Sequence, residues 1–245
     1  MKRSTLEIVS NLPLAGNVFE LVLAGDAAPF VPGQFAEIEV PGKFLRRPFS
    51  VCHAEDGRLT LVCRAAGSGT EILSGMGRGR TLDALTGLGN GFDPERAGDA
   101  PLLVGGGTGC AALYGLCREL IRRGKAVTAA LGFGTASDIF YAEKFAALGA
   151  AVRVFTMDGT AGEAGPVTRA AEDGNYSYFY ACGPAAMLRA LDGVGAGGEY
   201  SMEARMGCGF GACMGCTVQT AGGPRRVCRD GPVFRKGEII WPTQP

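Results

Sequence analysis

Residues 101–134 read PLLVGGGTGCAALYGLCRELIRRGKAVTAALGFG and decide much of the fold. PLLV is a short apolar run that leads into glycines, the pattern of a buried strand ending at a tight turn. The next segment carries Leu113, Leu116 and Leu120 at helical spacing and stops at Gly124, where a helix C-cap belongs. AVTAALGFG is a second strand. The stretch therefore predicts a strand–helix–strand unit with parallel strands and a right-handed crossover.

The same alternation continues toward the carboxyl end. DIFYAEKFAALG (138–149) and AAMLRAL (185–191) are predicted helices. AVRVFTMDG (151–159) and YSYFYACGP (176–184) are predicted strands, the latter ending at a turn. Repeated alternation of strand and helix predicts a parallel sheet of the nucleotide-binding type.

Apolar residues in the amino-terminal part recur with a different period. From Leu6 to about Leu85, short runs such as LEIVS, VFELVLAG and RLTLVCRA alternate apolar and polar residues between Pro-Gly turns, which predicts an antiparallel β-barrel. The segment DPERAGDAP follows Phe92 and is predicted to connect two domains. The glycine-rich stretch GVGAGGEY leads into a short cysteine-rich third segment. The predicted fold class is mixed β and α/β. The predicted domains are a barrel (1–96), an α/β domain (97–197) and a terminal segment (198–245).

Charge and targeting signals exclude several classes of protein. The 245 residues include 24 Lys and Arg against 24 Asp and Glu, so no net field attracts nucleic acid or anionic lipid. The amino terminus lacks a signal-peptide pattern, and no run approaches the roughly 20 apolar residues of a membrane span. Nine cysteines in a reducing compartment favour metal binding or catalysis over disulfides. We therefore expect a cytoplasmic location.

The single histidine, His53, excludes other chemistries. A Rieske centre needs two histidines, and a Ser-His-Asp triad of the hydrolase type needs a G-x-S-x-G elbow, which does not occur. His53 adjoins an alternating apolar stretch and is predicted to be a packed or surface strand residue.

The run MGCGFGACMGC (206–216), followed by Cys228, holds the most specific motif. Its four cysteines are separated by four, two and eleven residues, the C-x4-C-x2-C…C spacing of plant-type 2Fe-2S ferredoxins. The alternative is a structural zinc site, although zinc usually takes two separate C-x2-C pairs. Interspersed glycines are predicted to adopt positive φ angles and to aim backbone N–H groups at the sulfurs. The predicted cluster ligands are Cys208, Cys213, Cys216 and Cys228, and the glycines are Gly207, Gly209, Gly211 and Gly215.

Two barrel segments are candidates for binding FAD. RPFS, at the start of a strand, offers an arginine for phosphate, an aromatic ring and a hydroxyl; VCR is followed by a glycine turn that opens a short helix. An ordinary barrel with a glycine loop would carry the same residues. The candidates are Arg47, Pro48, Phe49, Ser50, Val62, Cys63, Arg64 and the turn at residues 67–73, within which the family resemblance given below implies Gly69 and Thr70.

Two turns of the α/β domain are candidates for binding nicotinamide. GGGTG lets backbone approach a pyrophosphate, and CGP ends a strand at the sheet edge where ligands bind. A plain tight turn and a buried core cysteine are the alternatives; Cys110 and Cys117 are predicted to pack in the core. The candidates are Gly105, Gly106, Gly107, Thr108, Gly109, Cys182, Gly183 and Pro184.

The three predicted sites are chemically complementary. A 2Fe-2S cluster passes single electrons, whereas a nicotinamide exchanges a hydride, which carries two. A flavin can do both, so it must lie between them.

Taken together, the motifs resemble the ferredoxin-NADP reductase superfamily with a carboxyl-terminal cluster module, and more narrowly the electron-transfer subunits of dihydroorotate dehydrogenase B. This resemblance extends along essentially the whole chain. The motifs that carry it are RRPFSV, VCRAAGSGTEIL, LTGLGNGF, LLVGGGTG, FYACGP and MGCGFGACMGC…C. It implies an FMN-containing catalytic partner that oxidises dihydroorotate in pyrimidine biosynthesis, assembled as a heterotetramer with two copies of each subunit. Electrons would pass from FMN through the 2Fe-2S cluster and FAD to NAD.

The chain departs from the family pattern at a few positions. Family members often have a smaller aliphatic residue at Phe49 and an aromatic one at Cys63, so Phe49 is the candidate ring beside the flavin. Arginines near the end of the second strand of the α/β domain would favour NADP. The chain has Ser137 and Asp138 there instead, and this favours NAD. Rival interpretations are the small subunit of an NADPH-ferredoxin transhydrogenase or sulfide dehydrogenase, and a zinc-stabilised binding module without catalysis.

Overall fold

The alternating amino-terminal segments form a closed antiparallel barrel. The computed structural model describes residues 1–242. The elements are β1 (Lys2–Ala15), β2 (Val18–Ala24), β3 (Phe35–Ile38), β4 (Arg47–Glu55), β5 (Arg58–Arg64), α1 (Ser68–Ser74) and β6 (Thr81–Leu88). The six strands close in the order β1-β2-β5-β4-β3-β6, and their inward residues form one apolar core. The short helix α1 lies between β5 and β6 along the chain.

A seven-stranded sheet follows, ordered β10-β9-β8-β7-β11-β12-β15. All of its pairs are parallel except that of β12 with β15. The predicted fold class is therefore confirmed. The elements are β7 (Leu102–Gly106), α2 (Gly109–Ala112), α3 (Tyr114–Arg122), β8 (Thr128–Phe133), α4 (Ala142–Ala147), β9 (Ala151–Thr156), β10 (Glu163–Ala164), β11 (Phe179–Cys182), α5 (Ala185–Asp192), β12 (Gly198–Ser201), β13 (Thr217–Thr220), β14 (Gly223–Arg226), α6 (Val227–Asp230) and β15 (Val233–Arg235), with 3-10 turns at Pro94–Arg96, Ala136–Asp138 and Val167–Ala171.

The helix predicted after the glycine turn is divided in two. α2 ends and α3 begins around Leu113, whose N–H bonds to the Cys110 carbonyl three residues back. The leucine spacing does not encode this tighter turn, whose hydrogen bond spans three residues instead of four. α3 ends at Arg122, and Gly124 follows with a φ of 75°, in the conformation that a C-terminal glycine supplies.

The helix predicted from residue 138 begins only at Ala142. Tyr141, just before it, has a left-handed φ of 66°, and its side chain is buried with Phe140 in the core between the barrel and the sheet. Its hydroxyl donates a hydrogen bond to Glu20 on β2, and Lys144 pairs with the same carboxylate at 2.6 Å. Anchoring these aromatic side chains against the barrel explains the late start of α4.

The barrel and the sheet share one continuous core. Val18, Cys52 and Val62 of the barrel are buried in the same cluster as the apolar faces of α2 and α3. Cys110 and Cys117 are also fully buried there, as predicted. The two units therefore pack with a shared apolar interface.

The carboxyl-terminal segment is joined to both units. It supplies β12 and β15 to the sheet and carries the hairpin of β13 and β14. Asn90 fixes it to the end of the barrel: its side chain donates to the Val233 carbonyl at 2.8 Å and accepts from the Val233 N–H at 2.9 Å. This pairing gives the LGNGF motif a structural role.

No helix within residues 1–242 is long and apolar enough to cross a membrane.

Replacing Gly109 with alanine should destabilise the fold. A Cβ at this position would overlap the Cys182 carbonyl oxygen of β11, so the glycine turn would have to move. Overpacking of this kind costs about 1–3 kcal/mol, which should lower the Tm of the cofactor-loaded protein by several degrees. Gly77→Ala is the matched control, because a Cβ there meets no atom within 4 Å. Equal Tm values for the two variants would contradict the close packing.

Candidate functional site

A cavity of about 230 Å³ lies between the barrel and the glycine turn of the sheet. Six of the residues predicted to bind flavin line it, together with two from the predicted nicotinamide turn. The carboxyl-terminal segment closes its remaining wall. The lining residues are Phe35, Pro48, Phe49, Ser50, Val62, Cys63, Arg64, Thr108, Gly109, Met202, Glu203, Ala204, Met206 and Pro232.

The remaining predicted flavin residues lie beside this cavity rather than in its lining. A methyl group built on Gly69 would be 3.3 Å from Nε of Arg47, so the guanidinium lies against the start of α1. The Thr70 hydroxyl accepts hydrogen bonds from the N–H groups of Ala66 at 3.0 Å and Gly67 at 3.2 Å. These bonds order the glycine loop next to a cation, an arrangement suited to a phosphate.

Cys63 and Phe49 both line this cavity, and their side chains differ in character. Cys63 is buried, and burial raises the pKa of its thiol, which therefore stays protonated. Phe49 is half-buried in the cavity wall and presents the aromatic ring. Arg64 reaches across the cavity to the sheet, where its Nη2 would lie 3.4 Å from a methyl group on Gly107.

A second cavity, of about 540 Å³, opens at the carboxyl edge of the parallel strands. Of the eight residues predicted for nicotinamide, Gly106, Gly107 and Pro184 line it, whereas Thr108 and Gly109 line the first cavity. Gly107 has a φ of 56°, so a residue other than glycine would be strained in this wall. Met187 and Ala190 of α5 add apolar lining to this cavity.

Gly105, Cys182 and Gly183 lie behind these walls and line neither cavity. Cys182 is buried, and burial raises the pKa of its thiol to about 12. It is therefore a neutral thiol at the end of β11, close to the glycine turn that separates the two cavities.

Two carboxylates, those of Asp138 and Asp158, lie near the second cavity, and only Asp138 was predicted from the sequence. Asp138 is directed partly toward the barrel, where Oδ1 would lie 3.7 Å from a methyl group on Gly16. Asp158 directly follows Met157, a cavity residue, at the end of β9. Its Oδ1 accepts from Oγ1 of Thr160 at 2.7 Å and from the Thr160 N–H at 3.1 Å, and these bonds lower the carboxyl pKa. The signal was available in TMDGT at a strand end.

The four cysteines of the carboxyl-terminal segment meet in two pairs. The thiols of Cys208 and Cys213 lie within hydrogen-bonding reach of one another, as do those of Cys216 and Cys228. Two pairs of thiolates suit two irons, each with two protein ligands.

The loop between the first three cysteines aims N–H groups at sulfur, as predicted. Ala212 and Cys213 donate to the Cys208 sulfur at 3.2 and 3.4 Å. Burial acts to raise the pKa of the Cys208 thiol, but these bonds and that of the Phe210 N–H lower it to about 6. A thiolate is the form that binds iron, so the site suits a cluster.

The prediction that all four glycines adopt positive φ was only partly correct. Gly209 and Gly211 have φ angles of 75° and 91°, but Gly207 and Gly215 do not adopt such angles; Met214 does instead, at 61°. The loop turns at a side-chain-bearing residue because the Thr217 N–H and hydroxyl both bond to the Met214 carbonyl.

The cysteine site has an inner and an outer edge. Cys216 and Cys228 are buried in the apolar core that contains Phe35, a residue of the first cavity. Cys213 is exposed. Met206, two residues before Cys208, also lines the first cavity. The inner edge of the cysteine site therefore adjoins the first cavity, and the outer edge faces solvent.

Glu37 is an unpredicted buried acid beneath this loop. It is fully buried on β3, and within residues 1–242 neither carboxylate oxygen has a hydrogen-bond partner. Burial, and then the negative charge of Cys208, raise its pKa to about 7. A side chain on Gly209 would overlap this carboxyl, so the loop packs directly on Glu37.

Comparison with known proteins agrees with this geometry. Residues 203–240 match the family described as the iron-sulfur cluster binding domain of dihydroorotate dehydrogenase B. The chain is 42% identical over 255 residues to the dihydroorotate dehydrogenase B (NAD(+)) electron transfer subunit of Bacillus pumilus, covering 98% of both chains. It is 40% identical to that of a Geobacillus species, covering 98% of this chain and 99% of the relative.

Among solved structures, an NADH-dependent reduced ferredoxin-NADP oxidoreductase matches with a TM-score of 0.87 and 30% identity, over 96% of this chain and 90% of the other. The fold and the site thus define a flavin and iron-sulfur oxidoreductase subunit. More narrowly, the chain belongs to the family of electron transfer subunits of dihydroorotate dehydrogenase B.

Proposed function

We propose that this chain carries electrons from a catalytic subunit that oxidises dihydroorotate to NAD, by way of a 2Fe-2S cluster and FAD. The supporting observation is the order of the sites: an exposed cysteine, a buried cysteine pair, the first cavity and then the second cavity. When bound, the flavin supplies the exchange between single electrons and a hydride. Neighbouring sites in this order make a relay possible.

We assign each residue group a binding role. Cys208, Cys213, Cys216 and Cys228 would hold the cluster. Arg47, Gly69 and Thr70 would hold the FAD phosphates, and Pro48, Phe49, Ser50, Val62, Cys63 and Arg64 would surround its ring system. Gly106, Gly107 and Pro184 would contact the nicotinamide cofactor in the second cavity. Gly105, Thr108, Gly109, Cys182 and Gly183 would complete the two turns that receive it, with Thr108 and Gly109 on the side of the first cavity.

Three further assignments remain predictions. They are the domain boundaries after residues 96 and 197, a cytoplasmic location, and an assembly with two copies of each subunit. The resemblance to the relatives supports a catalytic partner, and sedimentation of the purified complex measures its stoichiometry.

The relay predicts separable half-reactions. Cys213→Ser should abolish dihydroorotate-driven NAD reduction in the mixture with the catalytic subunit, because the exposed cluster ligand is lost. NADH should still reduce the FAD of this variant. The two cavities that would bind NADH and FAD lie on the inner side of the cysteine site, whereas Cys213 is on the outer side. Thr217→Ser is the control in the same segment, since serine keeps the hydroxyl that bonds to Met214. Full dihydroorotate-driven turnover by Cys213→Ser would refute the order of the relay.

Asp158 should discriminate NAD from NADP. A carboxylate at a strand end accepts a bond from the ribose 2′-hydroxyl and repels a 2′-phosphate. Asp158→Ser should weaken NADH binding about tenfold and strengthen NADPH binding by a similar factor, measured by calorimetric titration. Asp138→Ser is the matched control and should change both affinities less. The opposite ranking would assign discrimination to Asp138, as the sequence first suggested.

A further inference from the structure

We infer that Glu37 lowers the reduction potential of a 2Fe-2S cluster in the cysteine quartet, because it places an unpaired carboxylate directly beneath the loop between Cys208 and Cys213. This inference rests on the proposed function, since it assumes that the quartet holds the cluster. Three features support it: the position of Glu37, the lack of a counter-charge bonded to it, and the negative charge that a cluster gains on reduction.

Glu37 contacts the cysteine loop from a strand that also helps to form the first cavity. It lies on β3, two residues from Phe35 and on the same face of that strand, and Phe35 lines the first cavity. On the neighbouring strand β4 it pairs with Pro48, another cavity residue. Gly209 of the cysteine loop packs so closely that a Cβ there would overlap Oε1 of Glu37. The carboxyl therefore lies against the backbone that directly follows Cys208.

The carboxyl of Glu37 is buried without a bonded partner. It is fully buried, and within residues 1–242 neither of its oxygens has a hydrogen-bond partner. Arg46 and Arg47 supply positive charge nearby. However, Arg46 pairs with the exposed Glu39 at 2.9 Å. Arg47 donates to the Leu45 carbonyl at 2.7 Å. The field of an ionised Glu37 is thus only partly compensated, and burial protects it from screening by water and salt.

The sign of the effect follows from the charge of the cluster. Four thiolates make a 2Fe-2S cluster negative, and reduction adds one further negative charge. A fixed carboxylate beneath the loop opposes this addition, so it favours the oxidised form and lowers the reduction potential. The N–H groups of Ala212 and Cys213 that point at the Cys208 sulfur act in the opposite direction. Glu37 thus makes the reduced cluster a stronger electron donor to the flavin.

The test is a redox titration of the cofactor-loaded full chain, followed by the electron paramagnetic resonance signal of the cluster at about pH 9, so that the Glu37 carboxyl is ionised. Glu37→Gln removes the charge and nearly preserves the shape of the side chain. At a fixed ambient potential, the ratio of reduced to oxidised cluster in this variant should be about tenfold higher than in the unaltered chain. For a one-electron couple this ratio corresponds to a midpoint potential about 59 mV higher.

Glu39→Gln is the matched control. Glu39 lies two residues further along the chain, but it is exposed and paired with Arg46. Its replacement should change the ratio by less than about twofold, because solvent screens an exposed charge. Glu37→Leu is a second neutral variant without a hydrogen-bonding group, and it should shift the ratio in the same direction as Glu37→Gln. Iron content, flavin content and the absorbance spectrum verify that each variant is loaded.

The outcomes separate failure of this inference from failure of the proposed function. If the cluster signal is present but the Glu37 variants titrate like Glu39→Gln, or shift to lower potential, Glu37 does not have this role and the proposed function stands. A shift in Glu37→Gln alone would assign the effect to the amide and would also overturn the inference. If the unaltered chain, supplied with iron and sulfide, gives no 2Fe-2S signal, the proposed function fails and the inference fails with it.

Discussion

Packing of the sheet against the barrel is the interaction on which the rest of the molecule depends. Val18, Cys52 and Val62 enter the core of α2 and α3, and Tyr141 bonds across to Glu20. The first cavity lies at this interface, and the glycine turn separates it from the second. Hydride transfer is sensitive to displacements of about 1 Å, so a relay of this kind needs the two units held in one arrangement.

The cysteine segment depends on the same interface for its stability. A short segment with few core residues gains its burial by adding β12 and β15 to the sheet and by burying Cys216 and Cys228 in the core beside Phe35. Glu37 beneath the loop is an electrostatic cost in this arrangement, because a buried carboxyl adds negative charge near the Cys208 thiolate. The N–H groups that point at the Cys208 sulfur act in the opposite direction.

Local patterns predicted most of the fold and the chemistry. Period-two alternation identified the barrel, the strand–helix alternation identified the sheet, and cysteine spacing identified the quartet, because each depends on near neighbours in sequence. Features that depend on distant contacts were missed. The pairing of β12 with β15, the late start of α4 at the buried Tyr141, and the placement of Glu37 under Gly209 all join residues far apart in the chain. Asp158 also follows a predicted strand, but the sequence does not show that the end of this strand borders the second cavity.

If FAD lies between the nicotinamide and the cluster, electrons from NADH can reach the cluster only through the flavin. NADH is mixed with the isolated chain, with and without its FAD, while the flavin band at roughly 450 nm and the electron paramagnetic resonance signal of the cluster are followed. NADH should reduce the cluster only when FAD is bound. Reduction of the cluster by NADH at an equal rate in the FAD-free chain would contradict it.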